Sequence, residues 1–358
     1  MKRTLFVFAI LCISCISNSQ SYTMYALETP SGTLSSTAYE INNSGVAVGS
    51  CNIVGNSDRA VKWSASTTPT VTVLSGLDTY GINRAYSIND SGTICGVSMN
   101  SSGVYQAVTW SSTGTISNIT PSGEYSGRGQ KINNRGEVLG FASTSSGDSY
   151  VFTWNGTTSS SLTPGTYTGD NPIAFNEAGQ ALTANYNDWL KFYLYTNGTR
   201  NTFWSASPWN SPRVLDMNQA GQILFITRSG YGDPDELKLW NPDGRNATTG
   251  ASQDITPSGL ATGYAISNTA INAFGDIVTS SVPSGQTNCH AMVRLRSSTG
   301  AATWLDLNSL VTNLDGWVLN YAVDINDKGQ ILCWGTKIVS GQTRQISFRL
   351  DPGFTISR

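Results

Sequence analysis

Charged side chains are scarce in this sequence: they make up 12% of its 358 residues, and it contains a single histidine, His290. It has no basic cluster, so the phosphate-neutralising surface of a nucleic-acid binder is not expected. No stretch reaches the roughly 18 apolar residues of a membrane-spanning helix, which predicts that the mature chain is not an integral membrane protein. Aromatic residues, by contrast, make up 10%, including 10 tryptophans. A disordered chain would show the opposite balance, so the sequence predicts a packed core.

The N-terminus has the pattern of a targeting segment. Residues 1–19 (MKRTLFVFAILCISCISNS) combine two basic residues, a short apolar run and small residues at the end. We predict a secretory signal peptide that is removed after Ser19, leaving residues 20–358 as one secreted or cell-surface domain. Lipid anchoring at Cys15 is an alternative, because Cys12 to Cys15 loosely resembles a lipoprotein box. That box lacks the usual leucine three residues before the cysteine.

Four cysteines remain after this cleavage: Cys51, Cys95, Cys289 and Cys333. An exported chain can keep disulfides, and four cysteines allow three pairings. Cys51 to Cys95 and Cys289 to Cys333 have the same spacing, which favours two bridges between neighbouring repeats. Four free buried thiols are the alternative. No Cys-x-x-Cys or His/Cys spacing predicts zinc.

A short motif recurs seven times: an apolar residue, Asn-x-x-Gly, and then an apolar strand. The Asn and Gly positions are Asn42 and Gly45, Asn89 and Gly92, Asn133 and Gly136, Asn176 and Gly179, Asn218 and Gly221, Asn272 and Gly275, and Asn326 and Gly329. An asparagine side-chain oxygen can accept a backbone N–H two residues on, and glycine adopts the left-handed conformation that closes such a turn. We therefore predict that these residues form β-hairpins and are structural.

Each repeat also contains two further strand-like segments. One has the pattern of AVKW at Ala60–Trp63, and the next has the pattern of TVTVL. The recurring tryptophans Trp63, Trp110, Trp154 and Trp240 are predicted to lie in the core between repeats. Four short strands per 42–54 residues are typical of a β-propeller blade. The fold class is therefore predicted to be all-β, a seven-bladed β-propeller with blades of four antiparallel strands.

The two ends of the mature chain are complementary. Tyr22–Leu27 has the pattern of a fourth strand but precedes the first hairpin, and the last repeat ends with its third strand, Ile346–Leu350. We predict that the N-terminal strand completes the seventh blade, because this closes the ring and leaves no exposed sheet edge.

The motifs INDSGTICG, INNRGEVLG and INDKGQILCWG resemble the HAF-type extracellular repeats of bacterial secreted proteins. The His-Ala-Phe signature is similar to His290-Ala291-Met292, and the resemblance covers nearly all of the mature chain. It implies export and a propeller-like fold. It implies no catalytic residues.

A catalytic centre is not predicted. Any Ser-His-Asp mechanism would have to use His290, which occupies the repeat signature and is expected to be a structural residue at a strand end. A Gly-x-Ser-x-Gly elbow is absent. Cys289 and His290 are adjacent on a strand and would point to opposite faces, so they do not make a nucleophile pair.

Acidic residues do not form a recognisable metal site either. The densest acidic stretch, Asp233-Pro234-Asp235-Glu236, lacks the Asp-x-Asp-x-Asp-Gly pattern and is predicted to be a solvated loop. No metal or cofactor is predicted. Asp188, Asp216 and Asp324 are carboxylates that could in principle hydrolyse a glycoside. Asp216 and Asp324 each precede a turn asparagine by two residues, which favours a role in the hairpin.

Aromatic residues outside the repeat pattern are the remaining candidate site: Tyr186, Trp189, Trp204 and Trp209. Exposed aromatics on a rigid scaffold suit stacking on sugars or anchoring a protein partner. The predicted function is a non-catalytic interaction module that binds an extracellular glycan or protein. The alternatives are a carbohydrate-active hydrolase or lyase that uses channel carboxylates or tyrosines, and a structural cell-envelope component.

Overall fold

The computed structural model describes residues 20–31, 33–53, 57–163, 169–185, 191–205, 212–230, 233–244, 249–261, 266–296 and 302–354. These residues form seven four-stranded antiparallel sheets, so the predicted seven-bladed propeller is confirmed. One short helix, α1 (Leu307–Leu310), follows the sixth blade.

Each blade runs from a strand at the centre of the ring to a strand at its rim. The inner strands are β2 (Thr33–Ile41), β6 (Asn83–Ile88), β10 (Ser126–Ile132), β14 (Asp170–Phe175), β18 (Arg213–Met217), β22 (Ile266–Ile271) and β26 (Val318–Ile325). The second strands are β3 (Ala47–Ile53), β7 (Ile94–Met99), β11 (Val138–Ser143), β15 (Ala181–Asn185), β19 (Ile223–Thr227), β23 (Ile277–Ser281) and β27 (Ile331–Val339). The third strands are β4 (Ser57–Trp63), β8 (Tyr105–Trp110), β12 (Ser149–Trp154), β16 (Lys191–Thr196), β20 (Glu236–Pro242), β24 (His290–Arg294) and β28 (Gln342–Pro352). The outer strands are β5 (Val71–Val73), β9 (Ile116–Asn118), β13 (Ser159–Ser161), β17 (Thr199–Ser205), β21 (Gly250–Asp254), β25 (Trp304–Asp306) and β1 (Tyr22–Leu27).

The N-terminal strand closes the ring as predicted. β1 pairs antiparallel with β28 along its whole length, from Tyr22 opposite Pro352 to Leu27 opposite Ser347. The seventh sheet therefore has the order β1-β28-β27-β26, with strands from both ends of the chain. Tyr22 and Leu27 are fully buried, so closure adds apolar burial as well as backbone hydrogen bonds.

The core lies between neighbouring blades. Trp63 of blade 1 packs in a cluster with Leu27 of the closing strand and Leu332 of blade 7. Trp110 packs with Val48 of blade 1. The recurring tryptophans are buried as predicted for Trp63, Trp110 and Trp240, and Trp154 is partly buried against the core. Alternate side chains are buried along inner strands such as β6 and β14, whereas every residue of the second strands β15 and β23 is buried.

The ring has two distinct faces. The face that carries the seven Asn-x-x-Gly hairpins is called the turn face. The opposite face, called the connection face, carries the hairpins between second and third strands and the links from one blade to the next. Every inner strand has a register shift near its turn-face end, for example between Ala85 and Ser87. Such a bulge redirects side chains into the central channel at the same depth in each blade.

Candidate functional site

The turn asparagines form a ring that joins blades. In each hairpin the side-chain oxygen accepts backbone N–H groups of its own turn, as Asn42 does from Ser44 and Val46 at 3.0 Å. The turn glycines have φ between +76° and +83°, as the sequence predicts. The asparagine Nδ2 then donates to the backbone oxygen of the next turn asparagine, from Asn42 to Asn89 at 3.0 Å and from Asn326 back to Asn42 at 2.8 Å. The hairpin role is only half of what these residues do.

Six of the seven blade junctions in this ring have the amide bond. The exception among the described residues is the junction of blades 4 and 5, where Asn176 Nδ2 donates to Gln180 Oε1 at 2.8 Å. The sequence contained a signal for these bonds. The turn itself needs only an acceptor, which aspartate would supply, yet all seven copies have asparagine. Only the amide can also donate.

A second ring lies just outside the first. The residue after each asparagine donates its backbone N–H to the equivalent side chain of the next blade, as Asn43 does to Asp90 Oδ1 and Asp90 to Asn134 Oδ1, both at 2.8 Å. The same bond occurs at six junctions. It is missing between blades 5 and 6, because Ala273 has no side-chain acceptor for Gln219 N–H.

Four charged side chains meet inside the channel beneath these rings. They are Glu40, Lys131, Asp216 and Asp324, each two residues before a turn asparagine. Lys131 Nζ lies 2.6 Å from Glu40 Oε2. Asp324 Oδ2 accepts the N–H of Ile41 at 2.8 Å. We call these four residues the channel charge tier. It contains three acids and one base.

Burial dominates the electrostatics of this tier. It raises the pKa of Asp324 to about 7, with the Glu40 carboxylate adding to the effect. Burial likewise raises the pKa of Asp216 above its usual range. For Lys131, burial alone would lower the pKa, but Glu40 and the two aspartates more than offset it and hold the pKa above its usual range. The tier has a cavity of about 180 Å³ on its turn-face side and one of about 340 Å³ on the other.

The carboxylates of the tier already have backbone partners. Asp216 Oδ2 accepts the N–H of Ile271 at 3.0 Å, and its other oxygen accepts that of Met217. Asp324 makes the corresponding pair of bonds. The predicted role of Asp216 and Asp324 next to the hairpin matches these contacts, and the contacts also link adjacent blades. Asp188 lies outside the described residues.

The connection face has a different kind of cleft. A cavity of about 440 Å³ opens there between blades 2, 3 and 4. It is lined by aromatic rings and two arginines, among them Arg84, Tyr86, Tyr105, Arg128, Phe141 and Asn171. Tyr105 is 38% exposed, so part of its ring is open to solvent. We call this cavity the mouth cleft.

The two arginines of the mouth cleft are held differently. Arg84 is fixed by Asp58, whose Oδ2 accepts from its Nε at 2.6 Å and lies 2.5 Å from its Nη2. The Arg128 guanidinium lies over the ring of Phe141, 5.3 Å from the centroid, and its Nη2 is 3.5 Å from Asn171 Oδ1. Its Nε is buried and has no hydrogen-bond partner among the described residues.

Sequence reasoning missed these arginines, although a signal was present. Arg84, Arg128 and Arg213 each stand five residues before a turn asparagine. Aligning the repeats by their asparagines puts all three at one depth in the channel. Arg213 is also paired, since its Nη2 lies 3.0 Å from Asp235 Oδ2.

Most of the predicted aromatic site lies outside the residues that the structure describes. Tyr186, Trp189 and Trp209 lie outside the described residues. Trp204 belongs to β17, opposite Phe192, and its side chain is not described. The strands that these segments join end at the connection face.

The acidic stretch of blade 5 contains a buried ion-pair centre. Asp235 is fully buried, and its carboxylate pairs with Arg228 at 2.8 Å and with Arg213 at 3.0 Å. It also accepts the N–H of Ile266 at 2.9 Å. The prediction of a solvated loop is therefore wrong for Asp235, because the two guanidinium groups compensate its burial. It holds for the exposed Asp233 and Pro234, whereas Glu236 is partly buried and begins β20. Among the described residues, no three acidic, histidine or cysteine side chains form a group that could hold a metal ion.

The cysteines and the histidine are not members of the channel charge tier, although Cys95 is close enough to Glu40 and Lys131 to feel their charges. All four cysteines are free thiols, with Cys51, Cys95 and Cys333 buried and Cys289 partly exposed. Neither favoured bridge is formed in the structure: Cys51 and Cys95 belong to different core clusters, and Cys289 and Cys333 are both free thiols. Burial raises the pKa of Cys51 to about 11. His290 begins β24, and its Nδ1 lies 2.7 Å from Asp306 Oδ2.

Comparisons with known proteins show the fold and leave the family open. No family model matches the chain, and no curated protein matches its sequence. The β-propeller domain of the Trilobed protease from Pyrococcus furiosus is similar with a TM-score of 0.57 at 8% identity, over 92% of this chain and 97% of that one. An oligogalacturonate lyase from Vibrio parahaemolyticus gives 0.56 at 10%, over 93% and 97%. YCF48 bound to a D1 peptide gives 0.54 at 11%, over 92% and 97%.

These neighbours include a lyase and a peptide-bound protein, and both kinds of function therefore occur on this fold. At such low sequence identity the structural similarity shows only that the fold is shared. The described part of the chain contains no helix with the length and apolar character that crossing a membrane requires.

Proposed function

We propose that this chain is an exported, non-catalytic propeller module that binds an extracellular glycan in the mouth cleft. The observation that carries the proposal is the combination of aromatic rings and fixed polar groups around a cavity of about 440 Å³. Ligand pockets in proteins are of this size, mostly apolar, with a few polar groups that fix orientation. A sugar presents both an apolar ring face and polar edges, so it matches such a lining.

The location of the aromatic segments of blade 4 supports ligand binding at the same face. Trp204, Trp209, Tyr186 and Trp189 belong to segments whose flanking strands end at the connection face. A polysaccharide that enters the mouth cleft would extend across this face. We propose these four residues as additional contacts for a longer chain, and Trp204→Ala with Trp209→Ala should weaken polysaccharide binding while leaving short oligosaccharides unaffected.

A carbohydrate-active enzyme is the second candidate, and one observation favours it. With a pKa of about 7, the Asp324 carboxyl is partly protonated near neutral pH, as a general acid must be. Against this, both of its oxygens already accept backbone N–H groups. The binding module therefore remains the preferred function.

The test uses purified residues 20–358 and a panel of bacterial and plant polysaccharides, scored for retained protein and for released sugar. Retention without release is expected. Tyr105→Ala should reduce retention, whereas Tyr80→Ala is the matched control, because Tyr80 is 84% exposed and does not line the cleft. Release of oligosaccharides would establish the enzyme instead. The absence of both retention and release would contradict glycan binding, and it would favour a protein partner or a structural role in the envelope.

A further inference from the structure

The position five residues before each turn asparagine forms a ring of seven side chains near the connection-face end of the channel. Its members are Thr37, Arg84, Arg128, Asn171, Arg213, Ser267 and Tyr321. Two of the three arginines carry a carboxylate partner: Asp58 for Arg84 and Asp235 for Arg213. Arg128 has no carboxylate partner among the described residues. Of the three arginines in this ring, it is therefore the one whose charge no described carboxylate neutralises.

The residues around Arg128 hold its guanidinium in place but do not accept hydrogen bonds from all of its N–H donors. The ring of Phe141 supports one face of the group, and the Asn171 side chain makes one long contact at 3.5 Å. The Nε–H is buried and has no hydrogen-bond partner in the part of the chain that the structure describes. A buried donor without a partner is costly, so such a group in a native structure needs an explanation such as a bound water, ion or ligand.

We propose that Arg128 binds the carboxylate of an acidic sugar residue in the mouth cleft. This inference rests on the proposed glycan-binding function and specifies its ligand class. A guanidinium fork matches a planar carboxylate with two parallel N–H···O bonds, which an ammonium group cannot reproduce. The exposed ring of Tyr105 and the ring of Tyr86 border the same cavity and face the body of the sugar.

Arg84 of the neighbouring blade adds a second positive charge to the lining of the mouth cleft. Burial opposes its charge, but its contacts with Tyr86 and Asp58 raise its pKa and keep it protonated. Because Arg84 is paired with Asp58, its role is to hold the wall of the cleft in position. Gly96 of β7 allows the inner strand to approach closely here, since a Cβ at that position would lie 2.0 Å from the Arg84 carbonyl oxygen.

The experiment compares each acidic polymer with its own neutral form. Polygalacturonate, alginate and hyaluronan are each tested beside the same polymer after chemical reduction of its carboxyl groups. Dextran sulfate and poly-glutamate represent other anions. The variants are Arg128→Gln, Arg128→Lys and, as a matched control, Arg135→Gln. Arg135 belongs to the same blade but lies on the turn face, where it pairs with Glu137. Thermal melting of each variant confirms that it is folded.

We expect at least one acidic polymer to bind and its reduced form to bind about tenfold more weakly or worse, since charge-assisted pairs are the strong ones. Arg128→Gln should abolish this preference, Arg128→Lys should restore only part of it, and Arg135→Gln should leave it unchanged. Equal binding of both forms, insensitive to Arg128→Gln, would overturn the inference but leave glycan binding standing. Binding of no polysaccharide would overturn the proposed function itself. Arg128-dependent binding of dextran sulfate or poly-glutamate in preference to the uronates would reject the sugar carboxylate.

Discussion

The two ends of the central channel come from the same seven repeats but differ in how much the repeats vary. At the turn face the key position is asparagine in all seven copies, and its amide joins blades at six junctions. At the connection face the position five residues earlier holds five kinds of side chain, among them an arginine with no carboxylate partner among the described residues. Uniform positions thus satisfy one another, while varied positions leave a group available for a ligand.

This difference separates stability from binding. A ring of equivalent polar groups can be complete only if every blade contributes the same geometry, so selection for the fold would keep it uniform. The mouth cleft needs no such symmetry, because it is built by blades 2, 3 and 4 alone. Changes at the turn face should therefore lower the free energy of unfolding, whereas changes in the mouth cleft should alter binding and leave stability nearly unchanged.

The largest effect is expected from opening the ring. Deleting residues 20–32 removes β1, its pairing with β28 and the buried side chains of Tyr22 and Leu27. Losing two buried large side chains and exposing β28 as an unpaired sheet edge should lower the free energy of unfolding by at least about 6 kcal/mol. Chemical denaturation of the mature and truncated proteins measures this. Adding a synthetic 20–32 peptide should restore part of the loss, and an unchanged unfolding midpoint would show that closure does not support the ring.

The next effect tests the ring of asparagines. Asn42→Asp keeps the oxygen that accepts the turn N–H groups but removes the donor to Asn89 and places a carboxylate near that carbonyl. We expect a loss of about 1–3 kcal/mol in unfolding free energy from the broken buried bond.

Asn100→Asp is the control for this substitution. Asn100 forms the same turn, accepting the N–H groups of Ser102 and Val104 at 3.0 Å, but on the connection face and without a bond between blades. Its substitution should cost little. Equal losses for the two variants would mean that the turn, rather than the bond to the next blade, explains the repeated asparagine.

The sequence was sufficient for the fold because recurrence is a local property. Seven copies of one turn and four strand-like segments per copy specify blades, and the unmatched strand at Tyr22–Leu27 specifies closure. The mouth cleft depends on distance in space. Whether Arg128 has a partner is decided by Phe141, by Asn171 of the next blade and by the location of Asp58 beside Arg84 instead. The fate of Asp235 shows the same limit, since its two arginines lie 7 and 22 residues away along the chain.

A pH-dependent effect should distinguish the channel charge tier from the mouth cleft. The pKa of Asp324 is about 7 in the folded protein and about 4 in an unfolded chain. The folded state therefore holds this proton more tightly, and the contribution of Asp324 to stability falls as pH rises from about 4 to 7. Asp324→Asn removes this titration, so the variant should gain stability relative to the wild type across that interval.

Urea denaturation at several pH values measures this difference. Asp315→Asn is the control, because its side chain is 90% exposed and close to the same blade. Its stability should follow the wild-type pH dependence. If Asp324→Asn also follows it, the carboxyl is already ionised throughout this pH range.

The smallest effect is expected from a substitution that adds a missing hydrogen bond. Ala273 is the position where the second ring of the turn face is interrupted, since it offers Gln219 N–H no side-chain acceptor. Ala273→Asn should supply the oxygen that Asn134 supplies to Asp90 at 2.8 Å and raise the unfolding free energy by about 0.5–1 kcal/mol. Ala178→Asn, one residue later in another turn and outside the ring, should give no such gain. A destabilised Ala273→Asn protein would show that blades 5 and 6 are spaced differently from the others, and that the turn face is less uniform than its hydrogen bonds indicate.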